Sequence, residues 1–202
     1  MIELLVATRN QGKLREIKFL LRDFNLKITS LADYKNMPAI EEDGKTFQQN
    51  ALKKATTMAL YTKKLTLGED SGLEVKALQN APGVHSARYA GEKATDPKNN
   101  AKLLKALRGI PLKKRQARYR CVAALADGKR IVDVVSGSCN GVIALKAKGK
   151  NGFGYDPLFL IPKFTKTFGE LDPAIKSTMS HRACALNKIK KSLKKYLRSL
   201  AK

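Results

Sequence analysis

The amino-terminal stretch MIELLVATRNQGKLREIKFLLRDF, residues 1–24, is the part of the sequence that decides the fold class. Residues 2–7 are a short apolar run rich in branched side chains, and a polar loop follows them. From residue 13 to about residue 23, apolar side chains recur at helical spacing, at Leu14, Ile17, Leu20 and Leu21. This order predicts a strand, a loop and a helix whose apolar face packs on a sheet.

The rest of the chain continues this alternation. The sequence predicts strands at residues 26–30, 65–67 and 73–75, helices at residues 46–61 and 97–107, and a hairpin of residues 117–126 and 131–145 around the turn Asp127-Gly128. Residues 31–44 are expected to form a loop, and Asp70 is expected to project from a tight turn between two short strands. We therefore predict an α/β fold with a mixed β-sheet flanked by helices, in a single domain of residues 1–202.

Two further segments follow the hairpin. Residues 149–157 are predicted to form a glycine-rich loop, and a last helix is expected from Ser180 or His181. One face of that helix carries the apolar positions Leu186, Ile189, Leu193, Tyr196, Leu197 and Leu200. Residues 188–202 hold seven Lys or Arg and no acid, a pattern that favours a solvated basic helix face over a nucleic-acid-binding element.

Composition limits the classes of protein that remain. The 202 residues include 40 Lys or Arg against 17 Asp or Glu, a net charge of +23, and the 43% hydrophobic content excludes a disordered chain. No apolar run approaches the roughly 18 residues that span a bilayer, and the first ten residues lack the sections of a signal peptide. We expect a soluble, cytoplasmic protein with no membrane partner.

The cysteines and histidines limit the metal and redox chemistry that the protein could support. Three widely spaced cysteines support neither a disulfide framework nor a zinc site, and the two histidines are not paired. Any metal should be a hard ion held by carboxylates. The excess of basic residues suits nucleic acid, nucleotides or acidic membranes and does not choose among them. The scarce acids are more informative, because five of the 17 fall in residues 41–43 and 69–70.

The first loop carries groups that bind phosphates. A hydroxyl, an amide, a flexible glycine and two cations precede the predicted helix, in the order Thr8, Arg9, Asn10, Gln11, Gly12, Lys13. Backbone N–H groups at a helix amino terminus also favour anions, so this loop is a candidate polyphosphate site. An ordinary strand-to-helix turn is the alternative, and the GxxxxGK[ST] pattern of a P-loop is absent.

Three later segments supply further candidates. Phe47, Asn50 and Lys54 share a helical face that either reaches a cleft or is simply amphipathic. Carboxylates of residues 41–43 and 69–70 suit Mg²⁺, which takes one or two of them beside phosphate oxygens, unless they are only solvated acids. The segment Gly152-Phe153-Gly154-Tyr155-Asp156-Pro157 offers rings on which a base can stack, or else core side chains. Lys176 and Ser180-His181-Arg182 add hydrogen-bond donors, with helix capping as the alternative for Ser180.

Together these segments resemble the inosine triphosphate pyrophosphatase family. The matching motifs, in order along the chain, are residues 8–13, residues 47–51 with Lys54-Ala55, Glu69-Asp70-Ser71-Gly72-Leu73, Ala81-Pro82-Gly83 with Ser86-Ala87-Arg88-Tyr89, residues 152–157 and Ser180-His181-Arg182. The resemblance implies Mg²⁺-dependent hydrolysis of deaminated purine nucleoside triphosphates (ITP, dITP, XTP) to the monophosphate and pyrophosphate. It also implies an elongated mixed β-sheet in a protein of two lobes, with the active site in the cleft between them, and a homodimer.

The resemblance further implies a role for each site residue. Asp70 is the general base and, with Glu41, a metal ligand. Phosphate and sugar are held by Thr8, Arg9, Asn10, Gln11, Gly12, Lys13 and Ser71, and Lys54 meets the phosphates. The base pocket comprises Phe153, Gly154, Tyr155, Asp156, Lys176, His181 and Arg182. Donors such as Arg182 donate to the carbonyl at purine position 6, whereas adenine presents an amino group there and leaves these donors unpaired.

The sequence departs from the family pattern at three positions. Arg9 replaces a small residue, Gln49 replaces the usual Glu before Asn50, and Glu69 stands where Asp is frequent. The second change leaves Glu42 as an alternative to Glu41 in the metal site. Two other functions stay open at this stage: a pyrophosphatase for modified pyrimidine nucleotides, as in the related Maf group, and a basic nucleic-acid-binding protein. No RNA-binding or zinc-finger signature is present, so no specific nucleic acid partner is expected.

Overall fold

A computed structural model describes residues 1–200 and shows an α/β protein with one seven-stranded sheet. In chain order the elements are β1 (Ile2–Val6), α1 (Gln11–Leu20), β2 (Leu26–Ser30), α2 (Phe47–Thr62), β3 (Leu65–Val75), α3 (Asp96–Ala106), β4 (Gln116–Asp127), β5 (Arg130–Ile143), β6 (Phe159–Ile161), β7 (Lys166–Thr167), α4 (Pro173–Met179) and α5 (His181–Ser199). The strand order is β2-β1-β3-β4-β5-β6-β7. The sheet is mixed, as predicted, because β1 runs parallel to β2 and β3 whereas β6 is antiparallel to both of its neighbours.

The chain divides into two compact units. Unit 1 comprises Met1–Asp70, Cys121–Gly137 and Arg182–Lys202, and unit 2 comprises Ser71–Arg120 and Ser138–His181. Strands β3, β4 and β5 each contribute residues to both units.

Unit 1 packs helices on both faces of its part of the sheet. On one face, α1 and α5 cover β1, β3 and β4 in a core that includes Ile17, Leu67, Leu125 and Leu186. On the other face α2 packs through Met58 against Leu5 and Ala7 of β1 and its extension. Helices α1 and α5 therefore pack through the apolar faces that the sequence predicts.

Unit 2 is built around aromatic side chains. Strands β4 and β6 bring Tyr119 and Phe159 together, with ring centroids 4.5 Å apart, and Phe168 lies 5.3 Å from Phe159. Leu103 of α3 and Leu171 complete this buried cluster. The glycine-rich segment at residues 149–157 contains no helix or strand, as predicted.

The prediction of two short strands around a turn at residues 68–72 was wrong, because β3 is continuous from Leu65 to Val75. Glycine, acids and serine are typical of a turn, but here the strand lies between β1 and β4 in the sheet. Gly68 allows α2 to approach, since a Cβ at this position would lie 2.3 Å from the carbonyl oxygen of Ala51. Asp70 thus projects from the interior of a strand.

The helix boundaries differ from the predicted ones by a few residues. Helix α1 begins at Gln11 and ends at Leu20, and α2 covers Phe47–Thr62. Helix α5 begins at His181 and buries Leu186, Ile189 and Leu193, but Leu200, predicted on the same face, is 55% exposed beyond the helix end. Residues 201 and 202 of the predicted basic stretch lie outside the described residues. Within residues 1–200, no helix has both the length and the apolar character needed to cross a membrane.

Candidate active site

The predicted phosphate-binding loop lies at the carboxyl end of β1 and leads into the first turn of α1. Asn10 caps the helix, and its side-chain oxygen accepts a hydrogen bond from the backbone N–H of Lys13 at 3.0 Å. Thr8 accepts one from the N–H of Asn10 at 3.1 Å. Arg9 and Gln11 are exposed, and Gly12 is buried. The loop is therefore ordered by its own side chains before any anion binds.

Asp70 lies at the centre of a buried polar cluster on the α2 face of β3. Its Oδ1 is 2.9 Å from the Nζ of Lys54, and its Oδ2 accepts a hydrogen bond from the side-chain amide of Asn50 at 3.1 Å. The predicted helical face of α2 explains both contacts, since Phe47, Asn50 and Lys54 are all buried. Asn50 also accepts a hydrogen bond from the backbone N–H of Gly44 at 2.8 Å.

Glu42, rather than Glu41, is the acid of residues 41–43 that contacts this cluster. Its Oε2 is 3.1 Å from the Nζ of Lys54, whereas the side chain of Glu41 is exposed. Asp43 pairs with the exposed Lys53 at 2.7 Å. Lys54 therefore bridges the carboxylates of Asp70 and Glu42. We call these two carboxylates the carboxylate pair.

The carboxylate pair fits the chemistry of a Mg²⁺ site only in part. Carboxylate oxygens are suitable ligands, and Mg²⁺ commonly binds one or two of them and completes its coordination with phosphate and water. Within residues 1–200, there is no group of three or more His, Cys, Asp or Glu side chains that could hold a metal ion. The donors that are present are those expected of a metal that binds together with a phosphorylated substrate.

Electrostatic effects inside the cluster act in opposite directions. Burial raises the pKa of the Asp70 carboxyl, and the ammonium groups of Lys54 and Lys13 offset this effect only in part. Burial acts to raise the pKa of Glu42 as well, but Lys54 outweighs it and the pKa is lowered. For Lys54 itself, burial acts to lower the pKa, whereas Asp70 and Glu42 raise it above the ordinary value. Asp70 is thus the more basic of the two carboxylates.

Glu69, the residue before Asp70, points to the opposite face of the sheet. Its carboxylate is buried, with Oε2 2.9 Å from Lys13 and Oε1 3.0 Å from the guanidinium of Arg182. The thiol of Cys121 donates to Oε1 at 3.2 Å, and Arg182 also pairs with Glu16. Burial acts to raise the pKa of Glu69, but Arg182 and Lys13 hold it well below its usual range. Arg182 and Lys13 therefore keep the Glu69 carboxyl group in its ionised form.

The position of Arg182 bears on its predicted role in the base pocket. The side chain belongs to unit 1 and is 1% exposed, and its guanidinium donates to Glu69 and Glu16. These contacts link it to Lys13 and the phosphate-binding loop. Direct contact between Arg182 and a base stays a prediction.

Unit 2 holds most of the residues predicted to bind the base. Asp156 is buried, and its Oδ2 contacts the Nζ of Lys176 at 2.5 Å and the backbone N–H of Phe153 at 2.9 Å. The ammonium of Lys176 lies 5.1 Å from the centroid of the Phe153 ring. Gly152 has φ +78°, and a Cβ there would lie 1.9 Å from Asp156 Oδ2, so this turn requires glycine. The turn therefore holds one ring and one ammonium close together.

Four other predicted residues of unit 2 have different surroundings. Tyr155 is buried, and its hydroxyl donates to the carbonyl of Ser86 at 2.8 Å, so the alternative of a core side chain is the one its contacts support. The ring of His181 stacks on Tyr119 at 4.6 Å between centroids. Gly154 donates its N–H to Asp96 at 2.6 Å, and Ser71 is half-buried in β3.

Sequence reasoning did not assign a role to several residues that form these clusters. Asn50 appeared only as part of a helical face, and Glu16 and Cys121 gave no signal, because their partners are far away in the sequence. For Asn50, the three-and-four spacing with Phe47 and Lys54 was the available clue.

Comparison with known proteins identifies the relatives of this chain. The Ham1 family model matches residues 4–192. A dITP/XTP pyrophosphatase of Desulforamulus reducens is 48% identical over 187 residues, covering 93% of both chains. One of Geobacter sulfurreducens is 48% identical over 195 residues, covering 96% of this chain and 97% of the relative.

Solved structures agree with the sequence matches. A HAM1 protein from Coxiella burnetii has a TM-score of 0.86 and 41% identity, covering 96% of this chain and all of that one. A nucleoside-triphosphatase, dITP/XTP pyrophosphatase, from Mycobacterium abscessus has a TM-score of 0.73 and 38% identity, covering 93% of this chain and 97% of that one. These matches confirm the resemblance drawn from the motifs, and the chain belongs to the Ham1 family.

Proposed function

We propose that this protein is an enzyme that hydrolyses deaminated purine nucleoside triphosphates, ITP, dITP and XTP, to the nucleoside monophosphate and pyrophosphate. The names of its relatives, dITP/XTP pyrophosphatases of which two are 48% identical over nearly the whole chain, support this activity. The observation that carries the proposal is the buried Asp70 carboxylate with Lys54 beside it. The reaction would remove deaminated purines from the nucleotide pool of the cytoplasm.

The groups of unit 1 suit the triphosphate. Lys13 and the backbone N–H groups at the start of α1 would bind phosphate oxygens, because a helix amino terminus attracts anions. Lys54 would add a second ammonium. Asp70 would accept a proton from the attacking water, for which its raised pKa makes it a stronger base than an ordinary aspartate.

A divalent metal is part of the proposal. We propose that Asp70 and either Glu41 or Glu42 would hold Mg²⁺, with Glu41 predicted from the family pattern and Glu42 favoured by its contact with Lys54. When bound, Mg²⁺ would neutralise phosphate charge and polarise the phosphorus centre. Metal affinities of Glu41→Gln and Glu42→Gln in the presence of nucleotide would tell which acid is the ligand.

The groups of unit 2 suit a purine base. We propose that the base stacks on Phe153 and that Lys176, held by Asp156, donates to the carbonyl at purine position 6. Adenine presents an amino donor at that position, so the ammonium would be left unpaired. His181 and Arg182 stay predicted members of this pocket.

An assay of released products tests the proposal. We expect the protein with Mg²⁺ to release pyrophosphate from ITP, dITP and XTP much faster than from ATP or GTP. Release of orthophosphate would refute it, as would equal rates on all five nucleotides.

Two variants test the assigned roles. Asp70→Asn should lower kcat by about 10²–10⁴-fold while nucleotide still binds, because the proton acceptor is lost. Asp43→Asn, which changes an exposed acid paired with Lys53, is the matched control and should keep its rate. Lys176→Met should reduce the preference for ITP over ATP, whereas Lys163→Met, on an exposed lysine, should not.

The oligomeric state is also part of the proposal. We propose a homodimer, which the resemblance to the family implies. Light scattering coupled to size-exclusion chromatography measures the mass directly, and a mass near 22.3 kDa would refute the dimer.

A further inference from the structure

Lys54 occupies the place between two carboxylates that a divalent cation would take. Its Nζ is 2.9 Å from Asp70 Oδ1 and 3.1 Å from Glu42 Oε2. The side chain is only 4% exposed, and its stem is packed on the buried face of α2. One ammonium thus contacts both acids and offsets part of their negative charge.

Both oxygens of Asp70 are engaged in this arrangement. Oδ1 contacts Lys54, and Oδ2 accepts the hydrogen bond from Asn50 at 3.1 Å. Each oxygen keeps a second lone pair, but a divalent cation bound between Asp70 and Glu42 would lie where the ammonium of Lys54 now contacts both acids. The amide of Asn50 is held in addition by Gly44, where a Cβ would lie only 2.4 Å from its oxygen.

Lys54 is the group that a metal would displace. A divalent cation repels an ammonium and does not repel a neutral amide, and the flexible four-carbon stem of lysine lets its charged end move. The displaced ammonium then needs another anionic partner. A triphosphate supplies one.

We infer that Lys54 is a resident counter-cation of the carboxylate pair, that a divalent metal binds this pair only by displacing its ammonium, and that the displaced ammonium then binds the triphosphate. The inference rests on the proposed function, because the triphosphate is its second ligand. Without nucleotide, Lys54 competes with the metal. With nucleotide, that competition ends.

This exchange couples the two ligands. Because coupling between binding sites is reciprocal, the triphosphate must tighten metal binding by the same factor by which the metal tightens triphosphate binding. The typical range of such coupling is about 5–150-fold. The coupling should depend on Lys54 and not on the surface lysines.

The first experiment measures binding of Mn²⁺ alone, from the loss of the free Mn²⁺ electron paramagnetic resonance signal. Lys54→Met should bind Mn²⁺ about tenfold more tightly than wild type, because the competing ammonium is gone. Lys53→Met is the matched control, since it removes the same charge from an exposed neighbour on the same helix. A Lys54→Met protein that binds Mn²⁺ no more tightly than wild type overturns the inference.

The second experiment needs no variant, and therefore also decides the matter should Lys54→Met fail to fold. Lys54 is buried and paired in the metal-free protein, so its amine should resist reductive methylation read by mass spectrometry. Saturating Mn²⁺ without nucleotide should increase its labelling severalfold relative to Lys53. Unchanged labelling of Lys54 contradicts the displacement.

Failure of this inference is distinguishable from failure of the proposed function. Both experiments use the metal alone and record no hydrolysis. A protein that releases pyrophosphate from ITP but shows no metal-dependent change at Lys54 retains its function and loses only the exchange. Metal-dependent exposure of Lys54 in a protein without pyrophosphatase activity gives the opposite result.

Discussion

Replacement of Arg182 by Met should strongly destabilise the protein, because it removes one partner from a buried group of charges. Arg182 is 1% exposed and donates to Glu69, whose side chain is also 1% exposed, at 3.0 Å. Loss of the guanidinium leaves the Glu69 carboxylate in an apolar core with fewer partners. The contact of the Arg182 guanidinium with Glu16 is lost as well.

The size of the effect follows from the contacts that remain. Breaking a buried ion pair from one side costs about 3–5 kcal/mol. Glu69 keeps Lys13 at 2.9 Å and the Cys121 thiol, so we expect the lower end, about 3 kcal/mol. For a chain of this length, that corresponds to a fall in Tm of about 6–12 °C.

Equilibrium unfolding in urea measures this loss. The matched control is Arg118→Met, which breaks the pair of Arg118 with Glu74 in unit 2, where Arg118 is 47% exposed. An exposed pair contributes about 1 kcal/mol or less, so the control should stay close to wild type. Addition of Glu69→Gln to Arg182→Met should recover part of the loss, since no buried charge then lacks its partner.

Two results would refute this reasoning. The first is a loss of stability for Arg182→Met no greater than that of Arg118→Met. The second is a double variant whose loss equals the sum of the single losses, because interacting residues are not additive. Either result would mean that burial of the Glu69 carboxylate does not depend on its pair with the Arg182 guanidinium.

Three other substitutions test the fold. Glu3, whose pKa is lowered to about 2 by the hydrogen bond from Lys64, stabilises the protein above its ordinary pKa of 4.5 and loses this contribution as the pH falls toward 2. Because the site reaches solvent, Glu3→Gln should cost about 1 kcal/mol at pH 7 and almost nothing once the pH is below 2; a loss independent of pH would contradict the assignment. Tyr196→Phe should cost about 1 kcal/mol in urea unfolding, since the hydroxyl donates to Asp127 at 2.9 Å, and an unchanged midpoint would count against that bond. Gly68→Ala should cost about 3 kcal/mol, because its Cβ would lie 2.3 Å from the backbone of α2, and wild-type stability would show that the helix can shift.

Most of the fold could be predicted because its signals are local in the sequence. The apolar spacing of α1 and α5 and the turn after Asp127 are properties of short segments. Strand β3 is different, since its central residues favour a turn when considered alone. Their extended conformation depends on β1 and β4 as neighbours and on the charge partners of Glu69 and Asp70, which lie far away in the sequence.

The candidate site could be predicted as a set of residues but not as a set of contacts. Composition drew attention to the acids, yet it could not choose between Glu41 and Glu42, because the choice depends on where a loop without regular structure runs. The chemistry of Arg182 suggested a donor for a base, whereas its observed partners are two glutamates. The burial of Tyr155 depends on a carbonyl of Ser86, 69 residues away.

The alternation of side chains along β3 has a consequence for how this protein tolerates changes in length. Glu69 faces Lys13 and Arg182, whereas Asp70 faces α2, so the two acids are adjacent in sequence and separated by the thickness of the sheet. Insertion or deletion of a single residue between Leu65 and Glu69 would exchange the two acids between the faces. Each would then meet the wrong partners, whereas a change of two residues would preserve the faces. Insertions or deletions of an even number of residues should therefore be tolerated better in this strand than those of an odd number.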